Sequence, residues 1–237
     1  MLSGENEADR VEEHQMESIP QEIFLRILEY VAGYPNEFLP YVTVSRRWQR
    51  TIEPWYFKSF RIRNSDLHAF ANLFRPSQAH RKTLVKEVYL DVVLDEYDRE
   101  ECQQHAEANN RVFSAAVSEL FQLLESFNED CSAQDRGGLH LNLRDVFSPS
   151  DRKLPRTCQR KLWGTFVRLL NHEKLPTLSC VSRFQCGSSF RSRKFDPPSM
   201  MYMAGKLRGL KTCRIDYCND RDCFDDEAQR EIRHGMS

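Results

Sequence analysis

Apolar positions follow a helical period up to about residue 63 and alternate between strand and helix periods after it. Ile23, Ile27 and Tyr30 recur at helical spacing with Phe24, Leu28 and Val31 beside them. This predicts a helix whose apolar stripe is wide enough to serve two neighbours. Ser18 is placed to cap it, and Gln21, three residues on, completes a capping box. Pro20 sits in the first turn, where its missing N–H costs nothing. Gly33-Tyr34-Pro35 ends the helix. The apolar stretch Phe38 to Val44 leads into Ser45 to Glu53, a third short helix with Trp48 and Ile52 on one face. Pro54 is expected to stop it, and Phe57 to Ile62 alternates like a strand.

Further on, helices are predicted over 65–75, 110–128, 158–172 and 199–208, and strands over 85–94, 138–144, 178–185 and 211–217. The connections are polar: 95–109 is acidic, 128–137 holds Gly137, and 187–198 is rich in Ser and Arg and ends on Pro197-Pro198. Strands spaced by helices favour a parallel sheet, so the fold class is α+β or α/β. One internal repeat stands out. Leu175, Leu178, Val181, Arg183 and Cys186 are matched 32 residues later by Leu207, Leu210, Cys213, Ile215 and Cys218. Val85, Val88, Leu90 and Val93 form a partial copy, and Leu139, Leu141 and Leu143 a fainter one. The alternative is an irregular α/β domain whose strands match by chance.

Composition narrows the class. The chain has 237 residues, 40% apolar and 11% aromatic, enough to fill a core. A net charge of −1 argues against a nucleic-acid binder, which usually carries a clustered basic surplus. Residues 1–17 hold six acids against the single base Arg10 and read as a disordered acidic tail. The sequence has no apolar run long enough for a membrane span and no Asn-x-Ser/Thr sequon, so a cytoplasmic or nuclear protein is expected. The eight cysteines (102, 131, 158, 180, 186, 213, 218 and 223) include no Cys-x2-Cys pair. They are therefore read as thiols, with Cys186, Cys213 and Cys218 buried, and neither a metal nor another cofactor is expected. No Gly-x-Ser-x-Gly, phosphate-cradling glycine loop or His-Glu-x-x-His is present, so no catalytic residues are assigned.

The ordered set Ile19-Pro20-Gln21-Glu22-Ile23, Ile27-Leu28 and Val44-Ser45-Arg46-Arg47-Trp48, closing on Pro54-Trp55-Tyr56-Phe57, resembles the F-box of cullin-based ubiquitin ligases, in its fungal form. The resemblance spans residues 18–60 and implies a small three-helix module. It departs from the family at Ile19, where Leu is usual, and at Pro40, which shortens the second helix. The repeat that follows resembles a degenerate leucine-rich repeat over 61–237, although its spacing exceeds the usual 20 to 29 residues.

The resemblance implies a non-catalytic substrate-receiving subunit that docks on the Skp adaptor, and through it on a cullin scaffold, and holds a protein target with its C-terminal region. Pro20, Ile23, Ile27, Leu28, Val44 and Trp48 match the docking motif and are expected at or beneath the adaptor contact, with Trp48 the leading anchor. If the strands stack as in a leucine-rich array, the residues between the inward apolar ones form the target-binding face. These are Glu87, Tyr89 and Asp91, then His140 and Asn142, then Thr212, Arg214 and Asp216. The third strand is ambiguous, because Arg183 falls where an apolar residue belongs. A bulge or a partner acid is expected there, and Ser182 ranks below the others. The basic loop with Arg191, Arg193 and Lys194 is the competing site. The other reading is an interaction protein, or a truncated receptor, that does not bind the adaptor.

Overall fold

The computed structural model describes residues 19–31, 46–97, 105–128, 138–153, 165–187 and 192–216. Contacts divide the chain into two units, Met1–Lys58 and Ser59–Ser237. The acidic tail, the predicted second helix and Val44 lie outside the described residues.

The first unit holds helices α1 (Gln21–Val31) and α2 (Arg46–Tyr56). They meet through two rings. Phe24 is fully buried and stands edge-on to Trp48, with centroids 4.9 Å apart and planes at 89°. Such perpendicular pairs add about 0.5–1.5 kcal/mol beyond simple burial. The Arg47 guanidinium lies 4.6 Å from the Phe24 ring centroid, and Ile52 is buried one turn beyond Trp48. Contrary to expectation, α2 continues through Pro54 to Tyr56. A proline near a helix end removes only one ladder bond, and the next turn closes with Phe57 N–H donating to the Glu53 carbonyl at 2.8 Å.

The second unit is built on a five-stranded, wholly parallel sheet. Its strands are β1 (Ser59–Arg63), β2 (Glu87–Val93), β3 (Leu139–Phe147), β5 (Val181–Gly187) and β7 (Thr212–Asp216), in that spatial order. The short strands β4 (Phe166–Val167) and β6 (Lys194–Phe195) form a separate parallel pair. The four predicted strand segments and the parallel arrangement are as expected. Each new sheet strand joins the same edge. Because parallel crossovers are right-handed, connecting helices then all fall on one face. Packing agrees with this. Val88, Leu90, Leu141, Leu143, Phe184 and Cys186 point into a core completed by Phe113, Val117, Leu120, Phe121 and Leu124 of α4 (Ala106–Glu125). Phe60, Phe70, Phe74 and Phe127 continue that core as a chain of edge-to-face rings, with successive centroids 4.9, 5.0 and 5.0 Å apart. Helices α3 (Leu67–Asn72) and α5 (Pro197–Gly205) correspond to two more predicted segments.

The predicted helix over 158–172 is not found where that segment is described. Residues 165–172 hold β4 and the start of a 3-10 turn. Backbone donors there turn sideways to α4. Arg168 N–H donates to Asn110 Oδ1 and Leu170 N–H to Ser114 Oγ, both at 2.7 Å, so neither is free for an i→i−4 ladder. Asn171 then takes a left-handed backbone, φ 53°, which ends any regular element.

The internal repeat is corrected in its period. Leu178 bridges Leu207, Phe184 faces Cys213 and Cys186 faces Ile215, an offset of 29 residues rather than 32. Cys186 is thus matched by Ile215, not by Cys218. Among the described residues no helix is long and apolar enough to cross a membrane.

Candidate interaction faces

Strand alternation sends one set of side chains away from the helices, and register aligns that set into rows. One row runs Ser59, Glu87, His140, Arg183, Thr212, and the next runs Arg61, Tyr89, Asn142, Gln185, Arg214. A third contains Arg63 beside Asp91, and Gly187 beside Asp216. All eight sequence-predicted face residues therefore lie on one side of the sheet.

The polar contacts on this face are specific. Arg61 Nε donates to Asp91 Oδ2 at 2.7 Å, and Asp91 is only 4% exposed. Its other oxygen, Oδ1, is buried with no hydrogen-bond partner among the described residues. Tyr89 donates its hydroxyl to Glu87 Oε2 at 3.0 Å. Partial burial and then the Glu87 carboxylate hold its phenol above the ordinary range. Arg144 extends over the Tyr89 ring with its guanidinium carbon 6.0 Å from the centroid, and the His140 ring lies 6.2 Å from Tyr89 on the neighbouring strand. At the far edge Asp216 accepts from Arg214 Nε at 2.8 Å and from Gln185 Nε2 at 3.1 Å.

The ambiguous strand resolves through a bulge. Leu139 pairs with Val181, but His140 pairs with Arg183, which leaves Ser182 as the extra residue. Val181, Ser182 and Phe184 are buried, and Arg183 is turned outward and exposed. Ser182 is thus removed from the face, and Arg183 and Gln185 join it. The sequence signal for this was the apolar pair Phe184 and Cys186 framing Gln185, which sets the inward parity from the far end of the strand. Arg61 and Arg144 were also missed. They lie outside the leucine-rich pattern and reach the face only through register.

The competing basic loop is corrected. Arg193 is 2% exposed and its guanidinium grips Asp151, so it holds the fold rather than offering a surface charge. Arg191 lies outside the described residues. The cysteine expectation is corrected in part. Cys180 and Cys186 are buried, and burial pushes the Cys186 thiol well above the usual thiol range. Cys213, expected inside, is exposed on β7, the end strand of the sheet. Cys218 lies outside the described residues.

A second face lies on α1. At about 100° per residue, Ile23, Ile27 and Tyr30 fall on one stripe, while Phe24 faces a quarter turn away toward Trp48. The stripe is open, with Ile23 50%, Ile27 37% and Tyr30 89% exposed. Trp55 and Tyr56 are also exposed on α2. Pro20 is exposed, and the Leu28 side chain is not among those described. Trp48, the expected anchor, is 7% exposed and lies beneath the surface of the helix pair.

No protein-family model, no curated protein and no solved structure matches this chain.

Proposed function

We propose that the chain is a substrate-receiving subunit of a cullin-based ubiquitin ligase, docking on the Skp adaptor through residues 18–60 and holding a protein target on the open face of its sheet. The reading has no catalytic residue, cofactor or metal, and assigns the protein to the cytoplasm or nucleus. The observation that carries it is the exposed Ile23–Ile27–Tyr30 stripe. The 11-residue helix buries Phe24 and leaves three more large apolar groups exposed, and such a stripe is what a helix presents to a groove in a partner.

The sheet supports the second half of the reading. Strands that join one edge in sequence order, helices on one face and a polar opposite face are the arrangement by which leucine-rich arrays form an extended binding surface. The aligned inward residues Phe60 and Val88 are 28 apart and Phe184 and Cys213 are 29 apart, both within or near the leucine-rich range, while the middle steps are longer.

The test separates docking from folding. Ile23→Glu with Ile27→Glu places charge on the open stripe and should abolish co-purification with recombinant Skp adaptor while leaving the circular dichroism spectrum intact. Retained binding by the folded double variant would remove the docking assignment. Trp48→Ala is the wrong probe, because it empties the packed centre of the helix pair, a change that typically costs about 3–5 kcal/mol. Target binding is tested by proximity labelling, in which Tyr89→Ala should lose neighbours that the wild-type chain labels.

A further inference from the structure

The carboxylates in the three aligned rows are committed within the chain. Asp91 is held by Arg61, Asp216 by Arg214 and Gln185, and Glu87 by the Tyr89 hydroxyl. Arg183 and Arg144 have no carboxylate partner among the described residues. Arg183 is exposed beside His140, and Arg144 leans over the Tyr89 ring. The free valence of this face is therefore cationic, although the chain as a whole carries a net charge of −1. A guanidinium without an acid partner retains its fork of donors for an incoming carboxylate.

We infer that the open sheet face binds an acidic, extended polypeptide segment, with Arg183 and Arg144 each receiving one carboxylate and Tyr89 and His140 forming the floor beside them. This rests on the reading of the face as the target site and adds the chemistry of the target. Spacing supplies the second argument. Leu143 pairs with Cys186, so Arg144, the next residue of β3, lies one strand over and about four residues along from Arg183. With about 3.3 Å per residue and about 4.8 Å between strands, their Cα atoms stand roughly 14 Å apart. An extended chain advances about 3.3–3.6 Å per residue, so acids four positions apart match the separation of the two arginine Cα atoms. Gly187 carries no side chain on this face, and a Cβ there would approach the Asp216 Cβ to 2.7 Å. The flank of Arg144 toward β5 is therefore kept low, while Asn142 and Gln185 occupy the row between the two arginines.

The experiment uses the full chain and three fluorescein-labelled nine-residue peptides in a Gly/Ser background. They carry Glu at positions 3 and 7, Gln at both, or Glu at positions 3 and 4. Fluorescence anisotropy should rank the four-apart acidic peptide first, with the Gln peptide weaker by about tenfold or more. Arg183→Glu alone, and with Arg144→Glu, should lose the preference by a similar factor, since like charges across an interface are strongly unfavourable. Arg26→Glu on α1, an exposed position in the first unit, should change nothing. Equal binding of the Glu and Gln peptides, or an unchanged preference in Arg183→Glu, overturns the inference. So does a single-stranded DNA oligonucleotide that outcompetes the acidic peptide for the same arginines. If proximity labelling still depends on Tyr89 while no acid preference appears, the face remains the target site and only its proposed chemistry falls. If neither is seen, both fall.

Discussion

Arg193 and Asp151, 42 residues apart in sequence, form a two-pronged ion pair inside the protein, with Nη1 to Oδ2 at 3.1 Å and Nη2 to Oδ1 at 3.2 Å. Their side chains are 2% and 8% exposed. The pair ties the segment after β3 to the one entering β6. Tyr97, which follows β2, donates its hydroxyl to Asp151 and stands below the Arg193 guanidinium. Ser148 N–H donates to Asp151 Oδ2 at 2.8 Å, and Ser192 Oγ bonds the Val146 backbone. The carboxyl ends of two neighbouring sheet strands are thus held by one buried polar knot. Breaking one partner leaves a buried charge uncompensated, so Arg193→Met should cost about 3–5 kcal/mol in urea denaturation. Arg193→Met with Asp151→Leu should cost clearly less than the two single changes added together. Additive losses would show that the pair does not act as a unit.

Tyr97 adds a pH dependence. Its burial, then the Asp151 hydrogen bond and charge, raise the phenol pKa far above its ordinary 10.0. A group whose folded pKa is raised stabilises the fold fully below the unfolded pKa, and the contribution falls as pH rises beyond it. Stability should therefore decline from about pH 10 upward more steeply in the wild-type chain than in Tyr97→Phe. Parallel declines in a urea series between pH 8 and pH 11 would dissociate Tyr97 from the effect.

Two glycines make a matched pair. Gly138 has φ +64°, and a Cβ there would collide with the Ser182 side chain at the bulge. Gly138→Ala should lower stability by about 1–3 kcal/mol, through backbone strain and displacement of Ser182. Gly205, at the end of α5, has open space at the Cβ position. Gly205→Ala should raise stability by about 0.4–1 kcal/mol. Thermal unfolding of the two variants side by side reads the contrast directly.

Cysteine exposure gives a prediction independent of binding. Cys213 should react with iodoacetamide in the native state within the first minutes, whereas Cys180 and Cys186 should wait for unfolding. Peptide mapping after a short labelling pulse distinguishes the sites. Early modification of Cys186 would contradict its burial and the high thiol pKa that follows from it.

Much of the fold was determined by the amino-acid sequence alone, because period and turn chemistry are local. The alternation of Val88, Leu90 and Val92 and of Leu139, Leu141 and Leu143 makes those segments strands with a defined inner face. The long stripe from Phe113 to Leu124 makes a helix whatever surrounds it. From inner parity follows outer parity, which is why all eight predicted face residues share one side of the sheet.

What tertiary structure decided is whatever depended on a neighbour in space. The segment from residue 165 to 172 has apolar residues at helical spacing, yet its backbone donors found Asn110 and Ser114 of α4, and the local preference lost. Arg193 has the look of a loop charge until Asp151 and Tyr97 enclose it. Arg183 turns outward because one residue, Ser182, is extruded into a bulge that only pairing with Leu139 and His140 defines. Cys213 has inward parity but lies on an end strand, and burial needs a covering layer as well as a direction. Register, crossing contacts and the presence of a neighbour are relations between distant parts of the chain, and no local pattern of side chains encodes them.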